Sequence, residues 1–341
     1  MGTLNKDFLG FNTVNHSNLP RREEKARRQR MAILTTFAIL ALMIILAIAI
    51  LISSVAGGKG SGTGTPSGSP AGSEEVTDAA TMGEPAGDIE YTTLTLSSTD
   101  VTFGDLVLVN STHSYVFPEE ETHLATIYDQ YAKHTGTKPY NLGISEYMDG
   151  DALIAMDKLL TDFHSATGNS NVEISTAYRT YEEQEELTSS PIKAGQSDHH
   201  TGLGCSLTVL LPTGSKTDLS SDPIYNWISD NAHKYGFVVR YPENKGELTG
   251  VDGYTNYFRY VGIPHATYMK NHNICLEEYI ELLKEYTYNG DHLSILGADG
   301  KTYEVYHVEA RGSAVINVPS NYTYSISGTN DGGVIVTVAT N

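Results

Sequence analysis

The spacing of apolar residues in the middle of the chain predicts four helices. The first is marked by apolar residues at helical spacing and by a glycine stop signal: Leu153, Met156, Leu160 and Phe163, then Gly168. Thr180 and Glu183 form a capping-box pattern, which predicts a second helix start. The dipeptide at 222–223 is Asp-Pro and predicts a third helix, which should end at the glycine at position 236. The fourth helix is predicted by apolar residues on one face: Leu276, Ile280 and Leu283.

Short apolar runs rich in β-branched and aromatic residues predict strands. Between the helices these runs lie at 172–177, 203–211 and 258–262. After residue 290 the pattern is strand-like throughout, with runs at 303–308, 314–318, 322–326 and 334–339. Helices mixed with mostly non-alternating strands predict an α+β domain at 104–289, followed by a small C-terminal β appendage at 290–341.

The N-terminal part of the chain has a different organisation. Residues 31–53 contain no charged residue and consist mainly of Ile, Leu, Ala, Met and Phe. An apolar run of about 20 residues is long enough to cross a bilayer as a helix, whereas a cleaved signal peptide usually has an apolar region of about 7–15 residues. We therefore expect a transmembrane helix at 31–54. A basic cytoplasmic tail at 1–30 should precede it, and a flexible Gly/Ser/Pro-rich acidic linker at 55–103 should follow it.

Charge distribution predicts the location and restricts the partners. The basic cluster RREEKARRQR directly precedes the apolar run, so the N-terminus should be cytoplasmic and the folded domain extracellular, in a single-pass protein of the cell membrane. The chain has 22 Lys and Arg and 41 Asp and Glu residues, for a net charge of −19. Such an acidic body repels phosphate backbones, so we expect no nucleic-acid partner. The sequence leaves open whether Cys205 and Cys275 form a disulfide or are two buried thiols.

Three segments carry the candidate chemistry. In chain order they are AYRTYEEQ at 177–184, SDHHTGL at 197–203 and YFRYVG at 257–262. Together, in this order and at these separations, they resemble the VanY-type D-alanyl-D-alanine carboxypeptidases, zinc peptidases that remove the last D-alanine from peptidoglycan stem peptides. The resemblance covers residues 104–341 and implies an α+β fold in which an antiparallel sheet is flanked by helices.

The resemblance identifies four positions of the family's metal and catalytic site, and one of them keeps its residue. His199, in the Ser-x-His motif, matches the first zinc ligand. Ser206 and Tyr257 stand where the family has an aspartate and a histidine ligand, and Tyr254 stands where it has the catalytic glutamate. A catalytic zinc needs about three protein ligands and one open position. A serine hydroxyl binds zinc poorly at neutral pH, and a phenol with a pKa near 10 would have to ionise first.

We therefore expect no bound cofactor and no intact catalytic residue, although the family uses zinc. Tyr254 is a poor base at neutral pH, and losing the base alone would lower the rate by about 10²–10⁴-fold. The nearest candidates for a substitute metal site are His200, Cys205 and His265. Cys205 should face away from position 206 in a strand. His200, His265 and His272 are expected to be ordinary surface histidines.

The positions that hold the substrate in the family are retained. The resemblance implies that Arg179, Gln184 and Ser197 bind the D-alanine end of a stem peptide. A guanidinium can hold a carboxylate through two parallel hydrogen bonds, which favours a surviving groove for peptide ends. The alternative is that Arg179 only braces the start of a helix.

Three functional hypotheses follow from this pattern. The first is a cell-surface protein of the carboxypeptidase family that binds stem peptides, or a surface protein, without cleaving them. The second is an active D,D-carboxypeptidase with an atypical site. The third is an interaction or scaffold protein whose cleft has no role, and the sequence leaves open whether the chain is an enzyme.

Overall fold

The computed structural model describes residues 88–340. The expected cytoplasmic tail, the expected transmembrane helix and residues 55–87 of the expected linker lie outside this range. Within it, none of the helices has the length and apolar character needed to span a bilayer.

The described residues form fourteen strands and seven helices, joined by loops and short 3-10 turns. The strands are β1 (Tyr91–Leu96), β2 (Leu124–Thr126), β3 (Asn141–Leu142), β4 (Tyr147–Asp149), β5 (Val172–Thr176), β6 (Gly204–Leu210), β7 (Lys216–Thr217), β8 (Phe237–Tyr241), β9 (Tyr254–Tyr260), β10 (Leu293–Leu296), β11 (Thr302–Glu309), β12 (Ala314–Pro319), β13 (Thr323–Gly328) and β14 (Gly333–Ala339). The helices are α1 (Ile127–Ala132), α2 (Gly150–Thr167), α3 (Tyr181–Glu185), α4 (Asn226–Asn231), α5 (Gly246–Thr249), α6 (Ile263–His272) and α7 (Leu276–Leu283).

The central sheet has the strand order β3-β5-β6-β9-β8, with β7 paired to β6. Strands β3 and β5 run parallel, and the other neighbours are antiparallel. The apolar face of α2 and the inward residues of β5 and β6 belong to one buried cluster. The predicted α+β fold with a largely antiparallel sheet flanked by helices is therefore confirmed.

Helix α2 begins and ends where the sequence signals placed it. The Asp149 carboxylate accepts hydrogen bonds from the main-chain N–H groups of residues 151 and 152 at the N-terminus. At the C-terminus Gly168 takes a left-handed conformation with φ of 71°, which glycine adopts without a steric penalty. The capping box of α3 is also formed, by Thr180 and Glu183.

The helix expected after Asp222-Pro223 is divided into three short pieces. Two 3-10 turns, Pro223–Tyr225 and Ala232–Tyr235, flank the single helix α4, and the segment ends at Gly236 as predicted. Asn, Ser and Asp occupy most of α4, and their side chains compete for main-chain hydrogen bonds, which shortens helices. Helix α6 was not predicted from the sequence. Six of its ten residues are buried, so its apolar residues do not form a single face that repeats at helical spacing.

The C-terminal β appendage consists of a sheet in the order β10-β11-β14-β13. It is not separate from the rest of the fold, because residues of α6, α7, β10, β11 and β14 share one buried cluster. His265 of α6 also lies 3.0 Å from the Thr337 hydroxyl of β14, inside this shared core.

The fold begins earlier than the predicted linker boundary at residue 103. Strand β1 pairs antiparallel with β12 over six residue pairs, and Leu96 and Val101 are buried beneath it. The prediction was wrong here because the strand reads YTTLTL, and its threonines resemble the polar composition of the preceding linker. The structured part therefore includes residues 91–103.

Candidate functional site

The four family positions of the metal and catalytic site meet where β6 and β9 pair. Ser206 and Tyr257 are direct partners in the antiparallel register. The Tyr254 hydroxyl donates a hydrogen bond to the Ser206 Oγ at 3.1 Å. The His199 ring meets the Tyr257 ring edge-on, with centroids 4.7 Å apart. Residues that are up to 58 positions apart in sequence thus form one cluster, as the resemblance implied.

His199 lies on a 3-10 turn, Asp198–Thr201, that is held against the end of β5. Its Nδ1 is 2.6 Å from the Ala177 carbonyl oxygen. A carbonyl only accepts hydrogen bonds, so Nδ1 carries the proton and Nε2 keeps its lone pair. Burial, followed by the positive charge of Arg179, lowers the pKa of His199 to about 3. The imidazole is therefore neutral near pH 7.

Ser206 is buried in β6, and its neighbour Cys205 points to the opposite side. Cys205 belongs to the apolar cluster under the sheet, and burial raises the pKa of its thiol. The expectation that Cys205 faces away from position 206 therefore agrees with the structure. The thiol is a core side chain and does not replace the aspartate ligand of the family.

The Tyr257 side chain is directed to Asp198. It is 1% exposed, and its hydroxyl donates to the Asp198 Oδ2 at 3.1 Å. The ring crosses the main chain at Gly204, where a Cβ atom would lie 2.5 Å from the phenolic oxygen, so only glycine fits. Burial, followed by the negative charge of Asp198, raises the pKa of Tyr257 well above 10. The phenol therefore stays protonated and cannot supply an anionic metal ligand.

Asp198 is the centre of a buried ionic network that sequence reasoning missed. Its carboxylate accepts hydrogen bonds from the guanidinium groups of Arg259 and Arg240, which are fully buried. Arg240 is also held by both carboxylate oxygens of Glu277, at 2.7 and 2.9 Å. Arg259 donates further to the main-chain carbonyls of residues 105 and 107 at 3.0 Å. The sequence does hold a signal for this network, because an arginine lies inside each of two mostly apolar strand segments, FVVRY and YFRY. Arginine is almost never fully buried unless it is paired.

Arg179 is held in position by Gln184. The Arg179 guanidinium donates to the Gln184 Oε1 at 2.5 Å, and the Gln184 amide donates to the Ile192 carbonyl at 2.8 Å. Gln184 is only 2% exposed, whereas Arg179 is half-buried. Gln184 therefore orients the guanidinium and has no free amide group to offer a ligand. Arg179 keeps its charge, because a guanidinium does not deprotonate in a protein.

Ser197 is the residue before Asp198 in the sequence, and its side chain is almost completely buried. Its hydroxyl has no hydrogen-bond partner among residues 88–340. Buried polar groups are nearly always paired, so the fold leaves this hydroxyl to be satisfied by a water or a ligand.

His200 and His265, which were expected at the surface, are buried and structural, so the expectation was wrong for these two histidines. His200 places Nδ1 2.7 Å from the Arg179 carbonyl and accepts from the Gly195 N–H at Nε2, at 3.0 Å. His265 contacts the Tyr279 hydroxyl at 2.8 Å with its Nδ1. Cys205 and Cys275 are separate, buried thiols.

The donor set at the family's zinc positions does not fit a zinc ion. His199 offers one neutral nitrogen, while the Ser206 and Tyr257 hydroxyls remain protonated and hydrogen-bonded within the protein. Within the described residues, no group of three or more His, Cys, Asp and Glu side chains could hold a metal ion. We therefore derive no chemical step from a metal in this site.

Known proteins that are similar to this chain include D-alanyl-D-alanine carboxypeptidases. A family model described as VanY, D-alanyl-D-alanine carboxypeptidase, matches residues 145–263. A D-alanyl-D-alanine carboxypeptidase of Enterococcus faecium is 33% identical over 252 residues, which cover 72% of this chain and 78% of the relative. The putative carboxypeptidase YodJ of Bacillus subtilis (strain 168) is 27% identical over 209 residues, which cover 54% of this chain and 75% of that protein.

The fold is also that of a solved peptidase. The crystal structure of the vancomycin resistance D,D-dipeptidase VanXYg, in complex with a D-Ala-D-Ala phosphinate analogue, superposes with a TM-score of 0.61 at 25% identity. The superposition covers 73% of this chain and 99% of that protein. The shared motifs, the shared fold and the extent of the similarity to the E. faecium enzyme show that this chain belongs to the VanY family of D-alanyl-D-alanine carboxypeptidases.

Proposed function

We propose that this chain is a membrane-anchored, extracellular member of the VanY family that binds the C-terminal end of peptidoglycan stem peptides and does not cleave it. The observation that carries the proposal is the contrast between Arg179 and the family's metal and catalytic positions. The Arg179 guanidinium is held in place and charged. At the positions for the metal and the catalytic base, the Tyr254 hydroxyl donates to Ser206 and the Tyr257 hydroxyl donates to the Asp198 carboxylate.

Binding is supported by the preorganisation of Arg179. Its orientation is fixed by a buried glutamine that is itself anchored to a main-chain carbonyl, so little side-chain entropy remains to be lost when a ligand binds. A charged hydrogen bond to a carboxylate is about twice as strong as a neutral one. The D-alanine end of a stem peptide carries such a carboxylate, and the alternative role of bracing a helix start is already filled by the Thr180 capping box.

The proposal that the chain does not hydrolyse the peptide is supported by the side chains at the catalytic positions. Hydrolysis of an amide needs an activated water and a group that protonates the leaving amine. The buried Tyr257 hydroxyl donates a hydrogen bond to Asp198, and the Tyr254 hydroxyl donates one to Ser206. Burial keeps the Tyr257 phenol protonated, and His199 alone does not hold a metal that would activate a water.

The proposed location depends on residues outside the described range. The uncharged run at 31–53 is long enough to cross a bilayer, and the basic cluster before it predicts a cytoplasmic N-terminus. A Gly/Ser/Pro-rich segment then separates the run from the folded domain. This organisation would place the cleft next to the cell wall, where stem peptides are found.

A binding experiment with two matched arginine variants tests the proposal. Purified full-length protein should bind a D-Ala-D-Ala-terminated pentapeptide in calorimetry, and Arg179→Gln should weaken binding at least about tenfold, since one charged contact is lost. Arg311→Gln removes the same charge from an exposed residue that pairs with the exposed Glu309, and should have no effect. Wild-type protein that binds no pentapeptide, or that binds near-stoichiometric zinc and releases D-alanine, would overturn the proposal.

A further inference from the structure

A cavity of about 330 Å³ lies among residues that take no part in the candidate site. Its lining includes Val239 of β8 and Phe258 of β9, side chains from residues 225–233 in and beside α4, and side chains from residues 269–274 at the end of α6. Arg179 and the four family positions do not line it. Small-molecule sites have volumes of about 300–1,000 Å³, so this cavity, which we call the β8–β9 groove, is large enough for one.

The walls of the β8–β9 groove belong to the two large cores of the fold. Phe258 lies in the buried cluster that contains α2 and the central sheet, and Met269 lies in the cluster shared by α6, α7 and the appendage. The loop at 218–221 is held by Asn256, which is 5% exposed, donates to the Asp218 carboxylate at 2.6 Å and accepts from the Leu219 N–H at 3.2 Å. The groove is therefore preformed, and little ordering is needed when a ligand enters it.

Uncharged polar side chains surround the apolar part of the groove. Four of them make no side-chain hydrogen bond within residues 88–340: Ser220, Asn226, Thr255 and Asn273. Hydroxyl and carboxamide groups both donate and accept hydrogen bonds. A ligand can therefore pair with these side chains without breaking a hydrogen bond of the protein.

The charged side chains of the groove balance each other. Lys270 is the cation and Glu243 the anion of its lining, and Lys270 also lies 3.8 Å from the Asp230 carboxylate. Burial, followed by the charge of Lys234, lowers the pKa of His233, so this lining imidazole is neutral near pH 7. A lining without net charge, in a chain whose net charge is −19, favours an uncharged ligand over an anionic one.

An uncharged sugar ring matches these features. Such a ring carries C–H groups on its faces and hydroxyl groups around its edge, and each hydroxyl both donates and accepts hydrogen bonds. The partly exposed side chains of Val239, Pro242 and Ile274 offer apolar surface to the C–H groups. We propose that the β8–β9 groove is a second binding site of this chain, which takes an uncharged sugar unit of an oligosaccharide. The site requires no ligand at Arg179, so it does not depend on the proposed peptide binding.

Saturation-transfer NMR on the full-length protein tests the proposal with two neutral trisaccharides, triacetylchitotriose and cellotriose. Transfer to either sugar is expected, and the difference between them shows whether the acetamido group contributes. Transfer to neither sugar would overturn the proposal. Arg179→Gln should leave the transfer unchanged, and a loss of transfer in this variant would overturn the location of the sugar site.

Two asparagines with left-handed backbone provide a matched pair of variants. Asn273 has φ of 53° and lines the groove, whereas Asn244 has φ of 65° and does not line it, and both are exposed. Glycine adopts this backbone conformation readily, so each change to glycine removes only the carboxamide. In titrations, Asn273→Gly should weaken sugar binding about two- to tenfold and Asn244→Gly should not. Unchanged binding in Asn273→Gly would overturn the role of the uncharged side chains in selecting the ligand.

A substitution that fills the groove tests the location directly. Ser229→Trp places an indole ring in the groove, and the serine hydroxyl that it removes bonds only the Asn226 carbonyl of the same helix, at 3.0 Å. Sugar binding should be lost while the melting temperature stays close to that of the wild type. Ser165→Trp is the control, because Ser165 is an exposed helical serine that bonds the Thr161 carbonyl of α2 at 2.9 Å. A folded Ser229→Trp protein that binds the sugar as tightly as Ser165→Trp would overturn the assignment to the β8–β9 groove.

Discussion

Replacing Tyr257 by phenylalanine tests whether this residue is a structural donor. The change removes one oxygen atom and keeps the buried ring, which is 1% exposed. The hydroxyl donates to the Asp198 carboxylate at 3.1 Å, and that carboxylate is itself buried between two arginines. Removal should therefore destabilise the fold without creating a large cavity.

The magnitude follows from the charge of the partner. A hydrogen bond to a charged group contributes about 1.5–3 kcal/mol to the free energy of unfolding. Because Asp198 keeps its contacts with Arg259 and Arg240, we expect a loss near the lower end, about 1.5–2 kcal/mol. For a domain of this size, that loss lowers the melting temperature by roughly 3–8 °C.

Chemical unfolding followed by circular dichroism measures this loss, and a second tyrosine provides the control. Tyr254 also donates through its hydroxyl at 3.1 Å, but to the neutral Ser206, and its side chain is 40% exposed. Tyr254→Phe should therefore cost less than about 1 kcal/mol. If Tyr257→Phe were as stable as the wild type, or if both variants lost the same amount, the assignment of Tyr257 to the buried ionic network would be refuted.

Three further predictions concern the ionic network, an internal carboxyl group and the metal site. Glu277→Gln leaves the fully buried Arg240 guanidinium short of a charged partner and should destabilise the fold by about 3–5 kcal/mol in chemical unfolding. Burial, followed by the charge of Asp149, raises the pKa of Asp105 from 3.8 to about 6. Between these two pKa values the folded state holds a proton that the unfolded state releases. This contribution to the free energy of unfolding is therefore present below about pH 4 and lost as the pH rises through 6. In chemical unfolding from about pH 4 to pH 7, the free energy of unfolding should fall less steeply for Asp105→Asn than for the wild type. The triple variant Ser206→Asp, Tyr254→Glu and Tyr257→His restores the family residues and should bind zinc. Elemental analysis of the variant and of the wild type, which we expect to be metal-free, measures this. A triple variant that folds but contains no zinc would contradict the position-by-position match.

The features that could be predicted from the sequence are those set by local signals. Gly168 ends α2 and Thr180 caps α3, because both effects act within one turn of the chain. The strand between residues 91 and 96 was missed, since its threonines are typical of a linker and its pairing partner lies more than 200 residues away. Local spacing carries no information about such distant pairing.

In the candidate site, too, some features could be predicted from the sequence and others could not. The motifs predicted which residues would meet, and the structure brings His199, Ser206, Tyr254 and Tyr257 together. The direction of each side chain was not predictable, because it depends on the local path of the strand and on space left by a glycine opposite the ring of Tyr257. The burial of His200 was missed for a related reason, as its two hydrogen-bond partners are main-chain groups that leave no trace in residue identity.

Two tyrosine hydroxyl groups connect the three elements that carry the family positions of the site. In the family, a zinc ion at these positions would join the turn that carries His199, strand β6 and strand β9. Here the Tyr257 hydroxyl joins β9 to Asp198 of that turn, and the Tyr254 hydroxyl joins β9 to Ser206 of β6. Two hydrogen bonds therefore connect the same three elements that one ion would connect. Arg179 is tied to the same turn through its main chain, so hydrogen bonds of the protein alone hold its backbone beside His199.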